Sequence, residues 1–226
     1  MTPRTMEQYA FEADLRTDLS RGLPTLKKGV NILAESQIGH NELSNDVLRG
    51  SVAFEASTIL SYQLRQKGYE ACAYENKWLA SGLQYPTSKH AVTIVTSHVD
   101  SRSFIVDAAY CQFLKPFNLD KQIRNLPEVV LFPADEPRNF VSRFVSMRDK
   151  KAKSYRDTIK LKQEQPIFNL GHKELMDHYA NIWDMSKYSP AQNRLEDDLE
   201  KFKSDPDAVS KSIKKLIQKL GLVATQ

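Results

Sequence analysis

The chain has 226 residues, of which 41% are hydrophobic and 27% are charged, enough for one substantial hydrophobic core with a small appendage. Its formal net charge of +4 is modest for this length and does not indicate nucleic-acid binding. No run of about 18 apolar residues and no apolar leader occur, which excludes a helical membrane span and indicates a cytoplasmic chain without a signal peptide.

The cysteine content is low. Cys72 and Cys111 lack the spacing of a zinc site, so the sequence indicates a reducing compartment and predicts no structural metal. A disulfide between them is compatible with the sequence, but nothing requires one. A small bacterial enzyme delivered into another cell would have the same composition, so a role as a virulence effector stays open beside a cytoplasmic one.

Apolar spacing predicts two N-terminal helices. Apolar residues recur every fourth position from Phe11 to Leu19, and a second periodic stretch begins at Pro24. This pattern predicts that the two helices are joined at Gly22. The polar segment from Ser36 to Arg49 is then predicted to be a loop that leads to a glycine turn.

A helix followed by several strands is predicted for the middle of the chain. Ala53 to Lys67 carries an apolar stripe and precedes Gly68, which is typical of a helix with a glycine C-cap. Three strands rich in β-branched residues are predicted at Glu70 to Tyr74, His90 to Thr96 and Ser103 to Ala109. The polar turn at 97–102 predicts that the last two pair as an antiparallel hairpin. A further strand is predicted at Glu128 to Phe132.

The last third of the chain has a helical pattern. Ser189-Pro190 and Asp205-Pro206 both have the form of a helix start with proline in the first turn, and the apolar stripe after the second pair ends at Gly221. We therefore expect residues 1–136 to form a catalytic core that includes the N-terminal helices. Residues 137–226 are expected to form a basic helical extension packed on that core.

Three positions in the predicted elements suggest a nucleophilic enzyme. Ala53 begins a helix, His90 begins a strand and Asp107 lies near the end of the paired strand. A cysteine at position 53 would lie where unpaired backbone N–H groups and the helix dipole favour a thiolate. His90 would take its proton as general base, and Asp107 would orient the imidazole. Same-face residues of adjacent strands come within about 5 Å, which would let Asp107 reach His90.

These residues resemble a known family. The segment Arg-Gly-Ser-Val-Ala-Phe-Glu at 49–55 resembles the Arg-Gly-Gly-x-Cys-x-Glu motif of the arylamine N-acetyltransferases, with Ala53 in the cysteine position and Ser51 replacing the second glycine. The runs at 90–95 and 105–107 resemble that family's histidine and aspartate strands, and 64–69 resembles its helix exit. The wider transglutaminase-like branch of papain-fold enzymes has the same order of residues.

The resemblance covers about Leu48 to Tyr110 and implies an α+β, papain-like or transglutaminase-like core, with helices packed on a small antiparallel sheet. It implies a cysteine-dependent acyl-enzyme mechanism on a protein substrate, without a cofactor. The reaction would be that of a thiol protease (peptidase), of a glutamine deamidase or of a transglutaminase-type acyltransferase. An N-acetyltransferase that uses acetyl-coenzyme A is an alternative, although a basic helical tail stands in place of that family's lid domain.

Position 53 itself allows two interpretations. An inactivating substitution of the nucleophile by alanine is favoured, because His90, Asp107 and the glycine turn all keep the form of an active site. The alternative is a natural pseudoenzyme that binds a protein partner without chemistry. The natural coding sequence would distinguish the two, since only the first requires a cysteine at this position.

Further candidate residues lie outside the triad. Trp78 and Tyr85 either wall the substrate cleft or cover the core, and Gln37 is either an oxyanion donor or a surface-loop residue. The stretch from Arg138 to Lys162 carries nine Lys or Arg and is either a site for an anionic partner or a solvated helix face. No aromatic interleaving favours nucleic acid.

Overall fold

The computed structural model describes residues 5–38, 53–76, 90–110, 128–136, 183–191 and 194–222, with the side chains of 34–38 outside that description. Within these ranges the helices are α1 (Met6–Ile38), α2 (Ala53–Gln66), α3 (Arg194–Ser204) and α4 (Lys211–Leu220). The strands are β1 (Glu70–Asn76), β2 (His90–Thr96), β3 (Ser103–Asp107), β4 (Val130–Pro133) and β5 (Ser189–Pro190). They form one antiparallel sheet in the order β4-β3-β2-β1-β5, which confirms the predicted α+β class.

The predicted hairpin between β2 and β3 is confirmed. Ile94 lies opposite Ile105, and the turn at 97–102 joins the two strands. β3 ends at Asp107, two residues before the predicted end, because the Asp107 carboxylate accepts a hydrogen bond from the Ala109 N–H and turns the chain out of the strand. β4 confirms the fourth predicted strand and forms one edge of the sheet, where Pro133 is tolerated.

α1 is one continuous helix, so the predicted break at Gly22 is wrong. The step from Leu19 to Leu26 is seven residues, close to two helical turns, so both side chains stay on the same buried stripe. Pro24 removes one donor from the helix, but the carbonyl that loses it belongs to Ser20, which is exposed to solvent. The helix also extends to Ile38, so the predicted loop begins later than Ser36; residues 39–52 lie outside the described part.

α2 confirms the predicted central helix and ends at a glycine. Gly68 has a φ of +88°, and the N–H groups of Gly68 and Tyr69 donate to the carbonyls of Arg65 and Leu64. This pair of bonds is a Schellman C-cap, which turns the chain directly into β1. On its buried side α2 packs against the sheet, where the Thr93 hydroxyl donates to the Ser57 carbonyl at 3.1 Å.

The helix start predicted at Ser189-Pro190 is wrong. These two residues form β5, opposite Glu75 and Tyr74 of β1, and the Ala191 N–H donates to the Ala73 carbonyl at 2.8 Å. Among the described strands β5 is the other edge of the sheet, and proline fits there because no ladder hydrogen bond from its backbone nitrogen is required. A local start signal was therefore overridden by pairing with a distant strand.

The second predicted helix start is displaced by a few residues. The Asp205 side chain caps only a 3-10 turn, Pro206–Ala208, by accepting from the Asp207 N–H. Ser210 caps α4 by accepting from the Ile213 N–H, and α4 ends as predicted before Gly221, whose φ is +62°.

Most of the described elements share one hydrophobic core. The largest cluster of buried side chains draws on α1, α2, α3, α4 and the first four strands of the sheet. Gly29 brings α1 close to two neighbours, because a Cβ there would lie 2.9 Å from both Ile59 and Leu220 side-chain atoms. Residues 137–182 lie outside the described part, so the predicted division at residue 136 stays a prediction. None of the helices in the described ranges is both long and apolar enough to cross a bilayer.

Candidate active site

The two sides of the sheet differ in chemistry. The side that we call the helix face packs on α1 and α2 and includes Ala71, Thr93, Val95, Phe104, Val106 and Leu131. Side chains alternate along each strand, so the opposite side carries the residues in between. This second side, the His90 face, includes Asn76, His90, Ile105, Asp107 and Phe132. Both candidate catalytic residues therefore lie on the side that faces away from α2.

His90 and Asp107 are in direct contact, which the predicted hairpin allowed. The His90 Nε2 atom lies 2.8 Å from Asp107 Oδ2, and both side chains are 0% exposed. His90 is the first residue of β2 and Asp107 is the last residue of β3. The pair therefore lies at one end of the sheet, where the two antiparallel strands meet.

Asp107 receives two further hydrogen bonds. The Trp183 indole Nε1–H donates to Oδ2 at 2.9 Å, and the Ala109 backbone N–H donates to Oδ1 at 2.9 Å. A carboxylate only accepts, so with Asp107 ionised the His90 Nε2 atom carries the proton of the shared bond. The three donors then hold the carboxylate in one orientation, and the imidazole with it.

Trp183 was missed by the sequence analysis. It lies 76 residues after Asp107, and nothing local in the sequence connects the two positions. Its ring also packs edge-on against Phe132 of β4, with ring centroids 5.4 Å apart, and it is 1% exposed. The sequence offered only a compositional signal for this contact. The chain has two tryptophans, and the indole N–H of a buried tryptophan usually bonds an acceptor.

Tyr188 is a second contact that the sequence did not indicate. Its ring meets the His90 ring edge-on, with centroids 6.5 Å apart. Burial, followed by the negative charges of Asp107 and Asp184, raises the pKa of the Tyr188 hydroxyl, so that it stays protonated at neutral pH. Asn76 lies directly opposite His90 on β1 and is also buried. The imidazole is thus enclosed by Tyr188, which precedes β5, by Asn76 of β1 and by Asp107 of β3.

Ala53 lies at the same end of the sheet but on the helix face. It is the first residue of α2 and is 5% exposed. Its methyl group belongs to a small buried cluster with Ala91 and Ala109, against which Phe54 packs. Position 53 therefore lies next to Ala91, which follows His90, and next to Ala109, whose N–H donates to Asp107.

The alternation of side chains separates position 53 from the imidazole by one strand. Ala91 faces α2, so His90, the preceding residue, faces the other way. Because His90 is the terminal residue of β2, its ring lies at the strand end and not over the middle of the sheet. The imidazole can therefore contact a side chain at position 53 only past the end of β2.

The other candidate residues fall largely outside the described part. The backbone of Gln37 lies in the last turn of α1, so the prediction that this residue belongs to a surface loop is wrong. Its side chain lies outside the described part. Trp78, Tyr85 and the stretch from Arg138 to Lys162 lie in residues 77–89 and 137–182, outside the described ranges. Their assignment to a cleft or to an anionic partner stays a prediction.

The described residues of this site offer an orienting acid and a base. They contain no group of three or more His, Cys, Asp or Glu that could hold a metal ion. In this arrangement His90 Nε2 bonds Asp107, so Nδ1 is the ring atom that would exchange a proton with a nucleophile. Ala53 presents a methyl group and supplies no nucleophile at this position.

No family model, curated protein or solved structure matches the chain.

Proposed function

We propose that the chain has the architecture of a Cys-His-Asp acyl-enzyme with a papain-like or transglutaminase-like core, in which Ala53 occupies the nucleophile position. The observation that carries this proposal is the buried hydrogen bond between His90 Nε2 and Asp107 Oδ2, at the end of the sheet where α2 begins. A histidine oriented by a carboxylate beside a helix N-terminus is the arrangement that activates a thiol.

The proposed reaction in the thiol form begins with proton transfer. His90 Nδ1 takes the proton of a thiol at position 53, and the sulfur attacks a substrate carbonyl to form an S–C bond. The imidazolium then gives that proton to the departing amine, which leaves an acyl-enzyme. Water releases the acid in hydrolysis or deamidation, whereas a second amine gives transfer. Asp107 orients the ring and stabilises its charged form throughout.

The substrate class follows from the same resemblance and is part of the proposal. We infer a protein substrate, hydrolysed, deamidated or crosslinked without a cofactor. The wall residues Trp78 and Tyr85 and the oxyanion donor Gln37 belong to this proposal, as does an anionic partner at Arg138 to Lys162. Action in the cytoplasm, either of the producing cell or of a cell that receives the protein, is the corresponding location.

A binding protein without chemistry is the second candidate. Three observations favour it: position 53 carries a methyl group, the His90 and Asp107 side chains are fully buried, and His90 faces the opposite side of β2 from position 53. A buried His-Asp-Trp network also serves to fix the arrangement of a core, because each polar group is satisfied by another. In this alternative the network is structural, and a protein partner binds elsewhere on the surface.

The decisive experiment introduces the thiol. In a Cys72→Ser, Cys111→Ser background, Ala53→Cys is compared with Ala53→Cys, His90→Leu, and the thiol pKa is measured from the pH dependence of iodoacetamide alkylation. The helix N-terminus lowers the thiol pKa in both variants, so only the difference between them reports His90. We expect the pKa with His90 present to be lower by at least about one unit.

Two outcomes separate the candidates. Equal thiol pKa values in the two variants mean that His90 does not reach position 53, which overturns the enzyme proposal and leaves the network structural. The alkylation rate of the exposed Cys72 in the unsubstituted chain supplies a reference. If the pKa differs, mass spectrometry of model peptides incubated with Ala53→Cys identifies cleavage, deamidation or crosslinking.

A further inference from the structure

One described segment crosses the His90 face from one side of the sheet to the other. At its start, Trp183 bonds the last residue of β3 and packs on Phe132 of β4. At its end, β5 pairs with β1. β2 lies between β3 and β1, so the segment passes over the end of the sheet where β2 begins. We call residues 183–191 the strap.

The strap lies against the imidazole. The Tyr188 ring meets the His90 ring edge-on, and the Trp183 indole donates to the same Asp107 oxygen that His90 bonds. The His90 and Asp107 side chains are both 0% exposed in this arrangement. A molecule in solvent therefore cannot reach the imidazole while the strap is in place.

Apart from its two buried aromatic side chains, the strap is attached lightly to the described part of the sheet. β5 has only two residues, both exposed, and Pro190 has no N–H to donate. The Ala191 N–H donates to the Ala73 carbonyl at 2.8 Å. Between the aromatic anchors, the 3-10 turn Met185–Lys187 has no buried residues and is capped locally by Asp184. Segments with few buried contacts open at a lower free energy than the core.

We propose that the strap is a gate, which opens locally while the helix face stays folded and so exposes His90 to a substrate. Opening removes the Tyr188 ring from the imidazole and the Trp183 N–H from Asp107 together, because both belong to one segment. The admission of a substrate rests on the proposed function, whereas the opening itself does not.

A disulfide between β1 and β5 tests the gate. Glu75 and Ser189 are antiparallel partners, and the Cα atoms of such partners lie about 4.5–5.5 Å apart, within the span of a disulfide. Glu75→Cys, Ser189→Cys is prepared in the same cysteine-free background as the thiol pKa measurement. Mass spectrometry follows the modification of His90 by diethyl pyrocarbonate in the oxidised and the reduced form, with the exposed His98 as internal control.

The two forms share one sequence and differ only in the disulfide. We expect His90 to be modified at least about fivefold more slowly in the oxidised form, and the rates of His98 to agree within about twofold. Reductant is removed before the reaction, because it consumes the reagent. Equal His90 rates in the two forms overturn the proposal, as does an unmodified His90 in the reduced form when His98 has reacted fully.

Two single variants separate local opening from global unfolding. Trp183→Phe removes a hydrogen bond of the strap, whereas Ile59→Ala makes a cavity on the helix face. We expect Trp183→Phe to raise the His90 modification rate at least about fivefold and Ile59→Ala to change it by less than about twofold. Circular dichroism checks folding. No acceleration by Trp183→Phe, or an equal or larger one by Ile59→Ala, overturns the proposal even if the disulfide does not form.

The gate and the proposed chemistry fail separately, because none of these variants carries a thiol at position 53. A strap that opens, together with thiol pKa values that do not depend on His90, supports the opening and overturns the enzyme. A thiol pKa that depends on His90, together with a strap that does not open, supports the enzyme and overturns the gate.

Discussion

The two faces of the sheet show two ways in which the same strands are stabilised. The helix face is almost entirely apolar and is covered by α1 and α2. The His90 face carries a buried network in which His90, Trp183 and the Ala109 N–H all bond Asp107. Apolar contacts are non-directional and tolerate small shifts, whereas the network requires each donor to meet its acceptor.

The faces also differ in where their partners come from. The helix face is covered by α1 and α2, which precede the strands in the chain, and α2 ends four residues before β1. The C-terminal helices α3 and α4 join the same core. The His90 face depends on Trp183 and Tyr188, which lie beside β5 in the last quarter of the chain. The C-terminal segment is therefore needed to complete the candidate site, not only to pack behind it.

The largest expected effect is a cavity on the helix face. Ile59 is fully buried in α2 and lies next to Gly29 of α1. Ile59→Ala should lower the free energy of unfolding by about 3–5 kcal/mol, because α1 and α4 cannot both move into the space. Urea unfolding followed by circular dichroism measures this, with exposed Tyr9→Phe as the control. A loss below about 1 kcal/mol would show that the helix face is loosely packed.

A smaller effect is expected from the network on the other face. Trp183→Phe keeps a ring against Phe132 but removes the indole donor to Asp107. The free energy of unfolding should fall by about 1–3 kcal/mol, the usual cost when a buried charged acceptor loses a donor.

A double-mutant cycle sharpens this result. Trp183 and His90 bond the same oxygen of Asp107, so Trp183→Phe and His90→Leu should be non-additive by at least about 0.5 kcal/mol. Additive losses would indicate that the two residues contribute only through separate apolar packing.

The smallest effect belongs to a polar contact at the surface of the helix layer. A hydrogen bond from Lys67 holds the pKa of Asp18 below its usual value, assisted by the Tyr69 hydroxyl and opposed by partial burial. The stabilisation is therefore present above about pH 4, where unfolded Asp18 is ionised, and is lost as pH falls through the folded-state pKa.

Asp18→Asn tests this pH dependence. At neutral pH it should cost less than about 1 kcal/mol, because the pair is partly exposed and screened by salt. Urea unfolding from pH 7 to pH 2.5 should show the variant and the parent converging at the acid end. A difference that persists at pH 2.5 would assign the effect to helix propensity and not to the charge.

Local pattern was sufficient where neighbours in sequence are neighbours in space. The hairpin of β2 and β3 follows from two β-branched runs and a polar turn, and it brings His90 and Asp107 together. The end of α2 at Gly68 follows because a left-handed residue after an apolar stripe favours glycine. For these features the sequence by itself determined the outcome.

Tertiary structure decided what sequence pattern left ambiguous. Ser189-Pro190 has the form of a helix start but pairs with β1, and Gly22 and Pro24 have the form of a break but lie inside α1. In both cases a pairing edge or a continuous buried stripe outweighed a local preference of a few tenths to a few kcal/mol.

The candidate site divides in the same way. Ala53, His90 and Asp107 were found from local signals at the starts and ends of elements. The hydrogen bond from Trp183 to Asp107 depends on a contact between distant segments of the chain. The opposite directions of His90 and Ala91 depend on the register of β2. Sequence alone determined which residues could act together; the packing of the sheet decided that position 53 and the imidazole lie on either side of the end of one strand.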